Sequence, residues 1–348
     1  MTHYKLALLG FGNVGRALAR LLLQKQDELR EEYGLTFSFT GIATGSKGRA
    51  VNPAGLDVAR ALELVESGQS IAPLSTRPVG DAFDFIRLSE ADVLFENTPV
   101  NYATGQPAID HLRAALQMGM HALTANKGPV VHAHRELTEL AVANGVRFFF
   151  ESTVMDGAPI FSLFRGALPA ARLLSIRGIL NSTTNLMLSR MENGETFDEA
   201  VAYAQSIGLA ETDPSGDIDG WDAAIKIAAL ASVLMRVPLK PADVDRTGIR
   251  GIGAAELAAA KAQGKRWKLV CSAEQDLSGL TNLTGPRVKA RVAPELVGSE
   301  SPMYGIDGST SIVQFETDVL GRLSLVEENP GPQTTAYGLL ADFINAVR

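Results

Sequence analysis

The chain has 348 residues, 46% of them hydrophobic and 20% charged, which is enough apolar material for two packed domains and excludes a disordered or fibrous protein. Its 39 acidic and 32 basic residues give a net charge of −7 without any basic tract, which argues against a nucleic-acid partner. A lone cysteine, Cys271, excludes an intrachain disulfide and suits a reducing cytoplasm; no apolar run of about 20 residues suggests a membrane span, and the first residues lack a signal peptide's layout.

In chain order, residues 4–9 form a short apolar run that ends in glycines, and Arg16–Gln26 carries leucine and alanine at helical spacing. The chain therefore opens as strand, glycine-rich turn and helix, and a strand over Thr36–Thr44 completes a βαβ unit. Further strands at Val93–Phe95, His121–Thr124 and Val146–Phe150 alternate with helices around Pro107–Met118 and Ala133–Asn144. This alternation predicts an α/β fold with a doubly wound parallel sheet of the Rossmann type over residues 1–150. After Glu151 the pattern changes: a strand at Leu173–Leu180, a helix from about Thr184, a polar loop at 210–220 and an apolar helix over Trp221–Met235. An Ala-rich helix and short strands fill 240–318, so 151–319 reads as a second, α+β domain. The final helix, Thr334–Val347 within 320–348, is placed to return to the first domain.

Gly10-Phe11-Gly12-Asn13-Val14-Gly15 fits the dinucleotide fingerprint, in which glycines allow the turn and the helix N-terminus faces pyrophosphate. Such turns also occur without ligands; its position inside a βαβ unit favours the nucleotide. The end of the second strand, Ile42 to Arg49, holds no carboxylate for a ribose 2′-hydroxyl, while Lys47 and Arg49 suit a 2′-phosphate or are solvated loop charges; NADP is preferred over NAD. Asn97-Thr98-Pro99 is either a cofactor contact through Thr98 or an ordinary turn. Thr124-Ala125-Asn126-Lys127-Gly128 lies at a strand's carboxyl end, where α/β sheets bind ligands.

Five carboxylates crowd the segment 211–222, without calcium-loop spacing. Asp222 and Lys226 stand i, i+4 on the apolar helix, so their side chains meet, and a lysine at the mouth of a buried helix must be paired or have its pKa lowered. Alternatively they form an exposed ion pair of small value. Trp221, Trp267 and the histidines at 111, 121, 132 and 134 read as structural.

Taken together, Gly10–Gly15, Asn97–Pro99, Thr124–Gly128, Glu151-Ser-Thr-Val154, Gly178–Asn185 and Ala210–Lys226 resemble the homoserine dehydrogenase family over nearly the whole chain, in its short, monofunctional form without a C-terminal ACT domain. The resemblance implies NAD(P)-dependent interconversion of L-homoserine and L-aspartate 4-semialdehyde, a step of threonine and methionine biosynthesis, by a cytoplasmic homodimer. It implies that Lys226 is the proton donor, that Lys127 lies beside nicotinamide and substrate, and that Glu211, Asp217, Asp222 and Thr183 bind substrate. Gly331 falls on a late cofactor-contacting glycine. Glu151, Val154, Asp156 and Ala158 match a sodium site of one carboxylate and three backbone carbonyls. The chain departs from the family at Met155–Ala158, where Asp156 adds a carboxylate that either alters the ion preference or points to solvent. Ser182 replaces a glycine and is strained only if it needs positive φ, and Asn329-Pro330 replaces a Gly-Ala pair. A dinucleotide-binding sensor without turnover, and a dehydrogenase of a related small amino or hydroxy aldehyde, are the competing readings.

Overall fold

A computed structural model describes residues 1–276 and 287–348, so the stretch 277–286 of the strand-rich region 240–318 lies outside the described residues. The chain divides into two compact units, one of residues 1–159 with 331–348 and the other of residues 160–330.

The first unit is built from β1 (Thr2–Leu9), α1 (Asn13–Gln24), α2 (Gln26–Tyr33), β2 (Leu35–Ala43), β3 (Arg49–Val51), α3 (Val58–Glu66), α4 (Ala82–Ser89), β4 (Val93–Glu96), α5 (Ala108–Gln117), β5 (His121–Thr124), α6 (Lys127–Ala143) and β6 (Phe148–Phe149). Its sheet order is β3-β2-β1-β4-β5-β6. Strands β2, β1, β4, β5 and β6 run parallel; β3 returns antiparallel to β2. The all-parallel expectation is therefore corrected at this edge, because Gly45 to Gly48 makes a turn tight enough for a hairpin. Near-continuous apolar sequence in β1 and β4 is what a strand covered on both faces needs, and Leu6, Leu8, Val93, Leu94 and Phe95 are all buried.

Several expected bounds shift for local reasons. The single helix Arg16–Gln26 becomes two, parted at Lys25, and α2 ends on Gly34 in the left-handed conformation. The helix expected from Ala133 starts six residues earlier, because the Asn126 side chain accepts the Gly128 N–H (3.0 Å) and caps it; a break in helical geometry at Ala133 hides the continuity. Lys127 is thus the first helical residue, not a loop residue. The strand over Val146–Phe150 shrinks to two residues.

The second unit carries α7 (Ile160–Ser162), β7 (Leu173–Ile179), α8 (Ser182–Glu192), α9 (Phe197–Ser206), α10 (Ser215–Ile218), α11 (Trp221–Leu234), β8 (Asp245–Arg246), α12 (Ala254–Ala262), β9 (Arg266–Asp276), β10 (Arg287–Val297), β11 (Ser311–Thr317) and β12 (Gly321–Glu327). Its six-stranded sheet has the order β12-β11-β7-β9-β10-β8, and every pairing is antiparallel except the short β8–β10 contact. The α+β architecture expected after residue 150 is present. Asn181 caps α8 by accepting the Thr184 N–H, so that helix starts at Ser182, two residues before the expected Thr184. The supposed plain loop at 210–220 contains the one-turn α10. Helix α11 buries nine of its fourteen residues, as its apolar sequence requires.

The chain then re-enters the first unit as α13 (Pro332–Val347). Leu339 and Phe343 of α13 share a core with Leu18 and Leu22 of α1 and with Phe95, whose ring meets Phe343 edge to face at 6.2 Å. At about 1.5–3 kcal/mol for each large apolar side chain withdrawn from water, these contacts make α13 an integral layer of that unit. Among the described residues no helix is long and apolar enough to cross a membrane.

Candidate active site

In the first unit the site begins at the carboxyl end of β1. Gly10 has φ +104°, a region open to glycine, and a Cβ there would collide with the Asn97 carbonyl, so the turn after β4 presses directly on this turn. At Gly15 a Cβ would collide with the Gly10 carbonyl, so glycine lets α1 follow closely. Gly12 differs: a Cβ there would meet nothing within 4 Å. Its absence keeps space open in front of α1, whose first turn, Asn13 to Gly15, has no side-chain cap and no acidic residue. Uncapped N–H groups beside an open glycine form a cradle suited to a phosphate anion, and the residues present fit a dinucleotide.

At the end of β2, Thr44 accepts the Lys47 N–H (2.6 Å) and donates to the Gly48 carbonyl (3.0 Å), closing the hairpin turn. Lys47 is half-buried on this turn, whereas Arg49 is not a loop residue but opens β3, and its guanidinium donates to the Gly80 carbonyl (3.1 Å). Thr98 follows β4 and donates its N–H to Glu96 Oε1 (3.1 Å). Lys127 follows β5 as described. Gly331 caps α13, its carbonyl accepting the hydroxyls of Thr334 (2.8 Å) and Thr335 (3.0 Å).

Glu151, Val154, Asp156 and Ala158 lie on one compact turn. Glu151 is buried and its N–H donates to Asp342 (2.7 Å). The half-buried Asp156 carboxylate accepts the hydroxyls of Thr334 (3.2 Å) and Thr335 (2.9 Å) in the first turn of α13. Asp156 and Asn329, which lie at two of the places where the chain departs from the family, both sit at positive φ (38° and 53°), a conformation that after glycine is most open to Asn and Asp. Ser182 is instead the first residue of α8, in right-handed helical conformation, so it carries no such strain; its hydroxyl meets that of Ser311 (3.2 Å).

In the second unit, Thr183, Asp217, Asp222 and Lys226 converge around a residue the sequence reading passed over as a ligand, Asn181. Its amide donates to Asp217 (2.6 Å) and to Asp222 (3.0 Å). Lys226 lies 3.2 Å from the same Asp222 oxygen and donates to the Leu180 carbonyl (2.7 Å). Both side chains are nearly enclosed, at 15% and 11% exposure, so the reading as a solvated surface pair fails. Burial, and next the Asp222 carboxylate, push the Asp217 pKa above its ordinary value. Thr183 donates to the Leu209 carbonyl (3.3 Å) and also bonds Asp217. Glu211 stands apart, exposed, its carbonyl accepting from Gln205 (3.1 Å).

Trp221 packs under Arg246, whose guanidinium carbon lies 3.7 Å from the ring centroid, and Trp267 donates to the Glu256 carbonyl (3.1 Å), so both are structural. The sequence reading also missed two buried charges, Glu96 at the end of β4 and Lys268 within β9. Lys268 donates to Asn185 (3.1 Å), and burial holds its ammonium pKa down at about 8.

Comparison with known proteins identifies the family. Residues 10–151 match the model of the homoserine dehydrogenase NAD-binding domain, and residues 159–344 match that of the homoserine dehydrogenase family. The chain is 36% identical over 347 residues to the NAD(+)-dependent homoserine dehydrogenase of Pseudomonas canavaninivorans, covering 99% of this chain and 96% of the relative. It is 36% identical over 341 residues to the homoserine dehydrogenase of Methanocaldococcus jannaschii, covering 97% of each. A hyperthermophilic archaeal homoserine dehydrogenase mutant, solved in complex with NADPH, superposes with a TM-score of 0.82 at 28% identity, covering 99% of this chain and 98% of the other. The Rossmann-like nucleotide unit and the second sheet accordingly belong to an oxidoreductase, and the chain is a member of the homoserine dehydrogenase family.

Proposed function

We propose that the protein interconverts L-homoserine and L-aspartate 4-semialdehyde with NADP, residues 1–150 and the C-terminal helix holding the dinucleotide and residues 151–319 the substrate. The observation that carries this reading is the enclosed Lys226–Asp222 pair held by Asn181 and the Leu180 carbonyl. When bound, the dinucleotide exchanges a hydride with the substrate carbon. The chain's part is to manage the oxygen. An ammonium has three N–H bonds; Asp222 and Leu180 engage two of them, and the third serves the substrate oxygen. In reduction Lys226 protonates the oxygen as it becomes an alkoxide, and in oxidation it takes the hydroxyl proton back. Asp222 fixes the ammonium, Asp217 and Thr183 line the same cluster, and Glu211 is suited to the substrate amino group. The family resemblance assigns Lys127, at the N-terminus of α6, a place beside the nicotinamide.

Gly10, Gly12, Asn13, Val14, Gly15, Thr98 and Gly331 would hold the dinucleotide. NADP is supported by the lack of any carboxylate between Ile42 and Arg49, by the two cations there, and by the NADPH-bound structural neighbour; the NAD(+)-dependent relative is the counter-example. Replacing Lys47 and Arg49 by alanine should weaken NADP binding and spare NAD, and unchanged NADP affinity would remove this preference. A sodium ion, if bound, would be held by Glu151 and the carbonyls of Val154, Asp156 and Ala158, hard oxygen donors that suit it. It would brace the turn rather than take part in proton transfer. A homodimer is supported by the exposed apolar residues Val319, Leu320 and Val326 on and just before β12, which is an edge strand of its sheet among the described residues. Light scattering would test it. The activity is tested by purified protein, homoserine and NADP, followed by the absorbance of reduced nicotinamide. Tight dinucleotide binding without turnover would leave a sensor instead, and turnover confined to another small aldehyde would change the substrate.

A further inference from the structure

Glu96 is the last residue of β4, and nothing in the proposed chemistry uses it. Its side chain is wholly buried (0% exposed), an arrangement that is costly for a carboxylate unless donors satisfy it. No lysine or arginine pairs with it among the described residues; His111 Nδ1 stands 4.0 Å away without a hydrogen bond of its own. The donors come from Thr98 in the turn after β4 and from Thr124 at the end of β5. Oε1 accepts the Thr98 N–H (3.1 Å) and the Thr98 hydroxyl. The Thr124 hydroxyl shares its proton between Oε2 (3.1 Å) and the Glu96 carbonyl (2.8 Å). The register that sets Glu96 opposite Thr124 in the β4–β5 ladder brings these groups together.

The bonds close into a ring. Thr124 Oγ1 accepts the Asn126 N–H (2.9 Å), and the Asn126 amide donates to the Thr98 carbonyl (3.0 Å) while its oxygen caps α6 at Gly128 (3.0 Å). Buried polar rings of this kind are rigid when every member is satisfied and fail together when one is lost. We propose that Glu96 is a positioning residue of the cofactor site: its carboxylate locks the turn after β4 to the turn after β5, and so sets Thr98 and Lys127 against the dinucleotide. What binds there rests on the function proposed above; the lock is a property of the chain.

The test compares Glu96→Gln with Glu96→Val in the full chain. Glutamine preserves the ring, its amide oxygen accepting from Thr98 and its N–H donating to Thr124 Oγ1, which turns its proton to the Glu96 carbonyl. Its dinucleotide Kd, measured calorimetrically, should stay within about threefold of wild type, the scale of one neutral hydrogen bond. Valine leaves the Thr98 donors unpaired, and its Kd should rise by about tenfold or more. Wild-type affinity in Glu96→Val overturns the proposal, as does an equal loss in both variants. Should Glu96→Val fail to fold, Thr98→Val and Thr124→Val, singly and together, replace it: a dinucleotide Kd coupling of about threefold or more supports the ring, and additivity overturns it. If the wild-type chain binds no dinucleotide, the functional reading fails and the ring is judged separately. Amide exchange at 97–99 and 124–128 should then quicken in Glu96→Val, or failing that in the threonine variants, but not in Glu96→Gln; protected amides in every variant refute the lock.

Discussion

Replacing Lys226 by alanine tests the chemistry most sharply, because its surroundings are specified atom by atom. The ammonium stands 3.2 Å from Asp222 in a nearly enclosed setting. At an effective dielectric of about 20 this is a gross attraction of about 5 kcal/mol, most of it offset by the cost of desolvating both groups. Removing the cation leaves Asp222 sharing the Asn181 amide with Asp217, so the fold should lose about 1–2 kcal/mol, less than a fully buried pair would. Turnover should fall far more: loss of a positioned proton donor costs about 10²- to 10⁴-fold, or roughly 3–5 kcal/mol of barrier. Dinucleotide affinity should hardly change, since the dinucleotide contacts proposed at Gly10–Gly15 do not involve Lys226. Homoserine-dependent dinucleotide reduction, calorimetric dinucleotide binding and a thermal melt measure the three quantities. Lys226→Arg separates charge from proton transfer, because guanidinium keeps the cation but does not give up its proton at neutral pH. A wild-type kcat in either variant would refute the reasoning.

Further expectations follow from the same geometry. Gly10→Ala meets both a left-handed φ and the Asn97 carbonyl, and should cost about 1–3 kcal/mol of stability in a denaturant melt; Gly12→Ala meets no protein atom and should melt like wild type while binding dinucleotide at least about tenfold more weakly. The Asp217 carboxyl has a folded-state pKa raised by burial and by Asp222, so it binds its proton more tightly folded than unfolded, and its contribution to stability is lost as pH rises through the folded value. Asp217→Asn should therefore flatten that fall and melt higher than wild type at neutral pH, while activity drops; an unchanged pH–stability curve would contradict this. Asp156→Ala removes one of the two acceptors that the Thr334 and Thr335 hydroxyls share at the start of α13, leaving them the Gly331 carbonyl, and should lower stability by about 0.5–1.5 kcal/mol, with Asp156→Asn retaining most of it.

What could be read from the sequence was local. The spacing of Gly10, Gly12 and Gly15 after an apolar run, and of Asp222 and Lys226 one helical turn apart, encodes contacts within a few residues, where periodicity alone decides who meets whom. The apolar run of α11 likewise announced a buried helix. What escaped depends on strand register and long-range packing. Glu96 meets Thr124 across 28 residues only because β4 and β5 align them. Asn181 looks like an ordinary helix cap until α10 and α11 bring Asp217 and Asp222 to its free amide. Arg49 reads as a 2′-phosphate contact or a solvated loop charge until the Gly45–Gly48 turn folds β3 back against β2, and Asp156 reads as solvent-facing or ion-binding because its threonine partners come from α13, 178 and 179 residues later.

The central claim is that the Lys226 ammonium serves the oxygen of the reacting substrate. A crystal structure of the protein with dinucleotide and homoserine tests it most directly. The account predicts Lys226 Nζ within hydrogen-bond reach of the homoserine hydroxyl, about 2.6–3.2 Å, with Asp222 and the Leu180 carbonyl still holding its other protons. A bound homoserine whose hydroxyl meets a different proton-carrying group, with Lys226 unengaged, would contradict it.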